Sequence, residues 1–265
     1  MQRTPSSRLL LALAVVCALA AAALAGSNLD RPAFFALNGA ADRWLGPAIP
    51  SCLTILGHGL VAVMLLAPFL ERAPQALAAG LFAAPLGGAF STLLKRLFAE
   101  PRPAAVLDTA QFHVQGTVLA GHNSFPSGHS ITIFLVASVL LLGADDVRSR
   151  PLAIFGVLGL AALVAASRVM VGAHWPADAI GGAALGIVAG VMGNWAAHRL
   201  PIWNRSPARI VLALIVIACA VALAVADTGY PQAVPMQWAA VVLGAIAAMR
   251  TLILRLGHRR ETPGP

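Results

Sequence analysis

Three short stretches of this sequence hold residue types that could act together on an anionic group. The first reads Lys95-Arg96-Leu97-Phe98-Ala99-Glu100-Pro101-Arg102-Pro103. Lys95 closes an expected helix, and Arg102, seven residues on, is held extended between two prolines, so both cations can converge on one anion. Lys95 and Arg96 would also serve as plain interfacial anchors, a reading that accounts for Arg96 well and for Arg102 poorly. The second stretch, Phe125-Pro126-Ser127-Gly128-His129-Ser130, reads as a helix start. Unpaired N–H groups and the positive end of the helix dipole favour an anion there. Gly128 lets such an anion approach the backbone, and Ser127 either caps the helix or donates to a phosphate oxygen. His129 offers a proton from the first turn. The third stretch runs from Ser167-Arg168 through Gly172 and His174-Trp175-Pro176 to Asp178. With Pro176 in the first turn of a helix, Asp178 lies about one turn beyond His174. A carboxylate there can fix one imidazole nitrogen and leave the other free to attack, the orienting logic of a catalytic triad with histidine itself as nucleophile. An interfacial His beside a helix-start Asp is the plainer alternative.

Other polar residues carry weaker signals. His113, His122 and Asn123 share the loop that precedes Ser127 and read as solvated positions that could line an entrance. His58, within Leu56-Gly57-His58-Gly59, interrupts an apolar run, where an ionisable group is suspected of function.

These residues need elements to position them, and the composition says what kind. The 265 residues are 59% hydrophobic and 11% charged, with mean hydropathy +0.82, too apolar for a soluble domain. Eight apolar segments lie at about 9–26, 52–70, 76–95, 128–144, 151–168, 179–197, 209–226 and 237–254. They are continuous, without the alternation of a membrane barrel. The expected fold is all-α, a polytopic transmembrane helix bundle. Arg3 and Arg8 precede the first segment and Ala23-Leu24-Ala25 resembles a signal-peptidase site, but an uncleaved first span fits the count better. With the N-terminus in the cytoplasm, 12 of the 18 Lys and Arg residues, including Arg3, Arg72, Arg150, Arg209, Arg259 and Arg260, fall on that side. The other 6 fall outside, as the positive-inside rule prefers. Both termini are then cytoplasmic and the three polar stretches share the outer face. The longest loop, about 96–127, is also outside. The outer stretch 27–51, with Phe34, Phe35 and Trp44, is expected along the interface. Gly182, Gly186 and Gly190 form a strip for close helix packing. The net charge of +8 flanks apolar runs, so topology explains it and no nucleic-acid partner is expected. Cys17, Cys52 and Cys219 lack metal or disulfide spacing and read as packing residues.

Taken together, the polar stretches resemble the type 2 phosphatidic acid phosphatase (PAP2) family, whose superfamily also holds membrane glucose-6-phosphatases and soluble vanadium haloperoxidases. Its signature positions are present in order and with the family's spacing: Lys95…Arg102-Pro103, Pro126-Ser127-Gly128-His129, and Ser167-Arg168…His174…Asp178. The resemblance implies a six-span catalytic core over 1–199, leaving 200–265 as two additional spans and a basic tail. It implies that His174 forms a phosphohistidine, Asp178 orients it, and His129 protonates the leaving group. Lys95, Arg102, Ser127, Gly128 and Arg168 would bind the phosphoryl oxygens. No metal or other cofactor is expected, since three cations take that place and no cluster suits magnesium or zinc. The expected substrate is a lipid phosphate or diphosphate in the cell membrane of a bacterium: polyprenyl diphosphate, phosphatidic acid, phosphatidylglycerol phosphate or lipid A. The same motifs would serve a phosphotransferase passing the group to another lipid. A transporter or silent scaffold is the reading from a different class, but no inverted repeats are evident. The last two spans carry no motif; the turn between them holds Asp227, Tyr230 and Gln232 without an evident role.

Overall fold

The computed structural model describes residues 5–200 and 202–257. Arg3, Arg259 and Arg260 therefore lie outside the described residues. The described chain is all-helical: α1 (Pro5–Ala25), α2 (Asp30–Leu45), α3 (Ala48–Ile55), α4 (Gly59–Leu66), α5 (Pro74–Phe98), the short α6 (Pro103–Val106), α7 (Gly128–Gly143), the short α8 (Asp145–Arg148), α9 (Pro151–Met170), α10 (Pro176–His198), α11 (Ser206–Val225) and α12 (Val234–Gly257). Side chains such as Val16, Leu152, Phe155, Val221 and Ile246 face outward, as helices do when lipid is the solvent.

All eight apolar segments are helical, but not all are straight spans. Six stretches, among them α1, α9, α10 and α11, are long and apolar enough to cross a membrane. The second segment is broken: α3 and α4 meet at 72°. The cause is local. The N–H groups of Leu56, Gly57 and His58 bond carbonyls three residues back, which tightens the last turn of α3, and His58 is then extended before α4 begins. The fourth segment, α7, has only 16 residues, about 24 Å of helix against about 30 Å of hydrocarbon.

The stretch 27–51, expected along the interface, also contributes to the core. It is helix, and α2 turns Phe34 inward, fully buried with its ring 5.1 Å from that of Trp175, leaving Trp44 exposed. Asn38 is buried on the same helix; its amide nitrogen donates to the carbonyls of His113 (2.8 Å) and Met170 (2.9 Å), and its oxygen accepts from the His113 N–H (2.9 Å). One side chain thus ties the long loop to the end of α9.

α10 lies at the centre, packed on α1, α5 and α7. Its glycines set the distance. A Cβ at Gly182 would stand 2.6 Å from the Ser127 carbonyl oxygen, at Gly186 2.3 Å from that of Ile131, and at Gly190 2.6 Å from Ser138 Cβ. The strip read from sequence is therefore the surface on which α7, carrying Ser127 and His129, is seated. At one end of the bundle, Glu71 accepts from Arg209 Nη1 (3.0 Å) and pairs with Arg255, joining α11 and α12 to the turn before α5. Arg72 and Asp146 meet at that same end. The three polar stretches meet at the other.

Candidate active site

The tight turn after α9 builds the centre of the site. Gly172 takes a positive φ of 77° and approaches the His113 carbonyl so closely that a Cβ would stand 2.7 Å from it. The N–H groups of Ala173 and His174 both bond back to the Arg168 carbonyl, at 3.0 and 3.2 Å. This folds His174 under the start of α10. Trp175 precedes the helix, and Asp178, at its third position, accepts the Trp175 N–H at 2.9 Å. The same Asp178 Oδ2 lies 3.3 Å from His174 Nδ1 and accepts the Ser124 hydroxyl at 2.5 Å. Ser124, His174 and Asp178 are all buried. The carboxylate acceptor assigns the imidazole proton to Nδ1, which leaves Nε2 bare. Nε2 points at the Arg102 guanidinium, 3.4 Å from Nη1.

Burial, with Arg102, Arg168 and Lys95 nearby, holds the His174 imidazole well below its ordinary pKa. At neutral pH it is therefore uncharged.

The cations converge as their spacing predicts. Arg102 donates from Nε to Asn123 Oδ1 (2.8 Å) and from Nη1 to the Ala173 carbonyl (3.0 Å), while Lys95 Nζ donates to the Asn123 carbonyl (2.6 Å). The loop strand is pinned alongside: the Arg102 N–H bonds the Gly121 carbonyl, and the Ser124 N–H bonds that of Glu100. Arg96 is exposed and takes no part. Ser127 caps α7, its Oγ accepting the Ser130 N–H at 3.4 Å, which leaves its hydroxyl proton free to donate. Its N–H bonds the Asp178 carbonyl at 3.1 Å, locking the second stretch to the third. Gly128 is not crowded: a Cβ there would meet Ser91 Oγ at 3.6 Å, an ordinary contact. Arg168 is 2% exposed, a deeply buried cation that donates from Nη1 to Thr54 Oγ1 of α3 and to the Tyr230 hydroxyl.

His129 lines a cavity of about 320 Å³ between α4, α5 and α7, walled by Leu66, Leu81, Ala84, Gly88 and Leu135. His58 lines the same cavity, the two imidazole rings 6.4 Å apart. The approach depends on Gly57, where a Cβ would stand 2.8 Å from His129 Cβ.

Four polar contributors escape sequence reasoning. Ser124 immediately precedes the second stretch and belongs to no motif. Thr54 comes from a span without a motif, Tyr230 from the turn between the last two spans, and Asn38 from a segment read as interfacial. Only Asn123 was suspected, as an entrance residue; it is a first neighbour of two cations. His113 sits outside, 3.3 Å from Asp42, with both side chains half exposed, and His122 is exposed.

Comparison with known proteins follows the same outline. The lipid A 1-phosphatase of Rhizobium etli is 40% identical over 104 residues, covering 37% of this chain and 40% of that protein. The lipid A 1-phosphatase of Rhizobium johnstonii is 38% identical over 110 residues, 40% of this chain and 41% of that one. The chain thus spans about two fifths of the length of these curated relatives. The crystal structure of Aquifex aeolicus LpxE superposes with a TM-score of 0.55 at 26% identity, covering 63% of this chain and 96% of that one. The first transmembrane PAP2-type phosphatidylglycerolphosphate phosphatase from Bacillus subtilis gives 0.51 at 21% identity over 74% and 98%, a likeness of fold. The model of the PAP2 superfamily matches residues 76–205, the stretch that holds every motif residue above, and over that stretch this membrane chain is similar to the PAP2 superfamily.

Proposed function

We propose that the protein is a lipid phosphate phosphatase of the lipid A 1-phosphatase kind, working through a phosphohistidine on His174. The observation that carries the reading is the pairing of a bare, uncharged imidazole nitrogen with a buried guanidinium 3.4 Å away, its other nitrogen tied to Asp178. Nε2 attacks phosphorus, the bond to the lipid oxygen breaks, and His129 gives that oxygen its proton. Water then attacks the phosphohistidine while His129 takes a proton back, releasing inorganic phosphate and free His174. Lys95, Arg102 and Arg168, with the Ser127 hydroxyl and the Gly128 N–H, hold the phosphoryl oxygens as charge builds. The apolar cavity beside His129 lies on the leaving-group side, which suits a substrate whose remainder stays in the membrane. The relatives named lipid A 1-phosphatase point to a phosphorylated glycolipid among the candidate lipids. We place residues 1–199 as the catalytic core and 200–265 as an appended hairpin. We place both termini in the cytoplasm of a bacterial inner membrane and the site on the outer face, as the charge distribution favours.

The test is phosphate release from a panel of lipid A, phosphatidylglycerol phosphate, phosphatidic acid and prenyl diphosphate in mixed micelles containing a chelator. We expect lipid A to be cleaved fastest at its anomeric phosphate. His174→Ala should abolish turnover and covalent labelling by radioactive phosphoryl groups. Wild-type turnover by that variant would remove the nucleophile assignment, and phosphate recovered in a second lipid would replace water as acceptor. In a cysteine-free background, Ala120→Cys should react with an impermeant maleimide from outside and Ser149→Cys should not; the reverse pattern would invert the topology.

A further inference from the structure

The match to the PAP2 superfamily ends at residue 205, yet the chain beyond it returns to the site. The turn between α11 and α12 delivers Tyr230, buried, with its hydroxyl 2.7 Å from Arg168 Nη1. The same nitrogen donates to Thr54 Oγ1 of α3 at 2.5 Å. The guanidinium carbon lies 5.8 Å from the centre of the Tyr230 ring, within reach of a cation–π attraction. Arg168 Nε is buried and has no hydrogen-bond partner among the described residues. One corner of the guanidinium is thus occupied on two sides, and the Nε edge, the fork that matches two phosphate oxygens, is uncommitted.

The turn is built to hold that position. Gln237, buried on α12, donates its amide to the Leu223 and Ala226 carbonyls at 2.6 and 2.9 Å, closing the end of α11. The Gly229 N–H bonds Asp227 Oδ1 at 2.8 Å. Gly229 and Gly116 both have φ of 76°, and a Cβ on Gly116 would stand 2.3 Å from the Gly229 carbonyl, so turn and long loop meet backbone to backbone. Below, Gly244 of α12 admits the Met64 side chain of α4. Among the described residues, the hairpin's other side-chain polar ties go outside the motifs, to Cys52 of α3 at this end and to Glu71 at the opposite one.

From this geometry we infer that the appended hairpin α11–α12 is part of the catalytic machinery: Tyr230 is a positioning residue that, with Thr54, aims Arg168 at the phosphoryl group. The inference rests on the phosphatase reading and assigns the hairpin a task within it. A guanidinium on a flexible stem loses rotamer freedom when it binds. Two hydroxyls that fix Nη1 beforehand remove that cost at the moment the anion arrives.

The measurement is a double-mutant cycle on the full-length protein, read by kcat/KM and by calorimetric binding of orthovanadate, which needs no turnover. Tyr230→Phe keeps the ring and removes the hydroxyl. We expect it to lower kcat/KM and vanadate affinity by about tenfold or more, the scale of a hydrogen bond to a charged group, with an unchanged unfolding temperature. In an Arg168→Ala background the same substitution should cost nothing further. Thr54→Val should behave like Tyr230→Phe, and Thr54→Ser should restore function. Wild-type kinetics and vanadate affinity in Tyr230→Phe would overturn the inference, as would an equal loss with and without Arg168. If Tyr230→Phe failed to fold, the Thr54 pair and its coupling to Arg168 would decide instead. Absence of phosphatase activity in the wild type would remove the functional reading; undiminished vanadate binding by Tyr230→Phe would remove the positioning role alone.

Discussion

His174 brings together the demands placed on a histidine nucleophile: one nitrogen occupied, the other bare, and the ring uncharged. Because burial and the neighbouring cations depress its pKa, protonation begins only below the ordinary value of about 6.5. We therefore expect kcat/KM to hold through pH 6.5 and fall only in more acid solution, a pH–rate profile on the free enzyme being the check. An acid limb centred at or above 6.5 would contradict the environment described. The sign for stability is the same: the unfolded chain binds the proton more readily, so His174 erodes stability as pH drops below about 6.5. His129 is assigned the opposite task, and its loss should depend on the leaving group. His129→Gln should slow release of a lipid alkoxide by about 10²–10⁴-fold and affect an activated nitrophenyl ester far less. Equal losses on both substrates would remove the general-acid role. The residues that make these predictions possible stand at motif spacing and are legible in the sequence. Ser124, Thr54 and Tyr230 are not, because a lone hydroxyl has no period and its partner is brought to it only by tertiary contact.

At the level of elements, the broken span governs how the two histidines meet. Gly57 is seated on His129 with no room for a methyl group. Gly57→Ala should cost about 1–3 kcal/mol, the range for overpacking a close contact, and should displace His129 enough to lower kcat. Thermal unfolding alongside kinetics separates the two effects; an alanine that left both unchanged would mean that the contact is not required. The α3–α4 bend was invisible in the sequence, since an apolar run reads the same whether its helix is straight or broken, and His58 alone marked the place. The α10 glycine strip was legible because its period matches the helix. The inward contacts of α2 were not legible, because composition cannot say which side of an amphipathic helix faces the core: Phe34 and Asn38 are inside and Trp44 is outside.

For the molecule as a whole, eight apolar segments and their order were readable from hydropathy alone, because lipid permits little else. Their depth in the membrane was not. Asp145 and Asp146 follow α7 directly, and Asp146 pairs with Arg72 at the bundle's far end, so that end is held at water. Were α7, with its 16 residues, to stand along the bilayer normal from that end, Gly128 and His129 would lie about 6 Å short of a full hydrocarbon thickness of about 30 Å. Reconstitution into bilayers of graded acyl length should reveal this as an activity optimum, falling away in thicker membranes as mismatch strains the bundle. A flat response would argue that the short helix has no bearing on depth. The recess also separates the fates of the two products under the proposed chemistry. Each methylene lifted out of hydrocarbon would cost about 0.8 kcal/mol, and a sunken site asks for none. On that reading the dephosphorylated lipid would depart sideways within its leaflet, without changing solvent, while inorganic phosphate would leave into water. Neither product competes with the other for its way out.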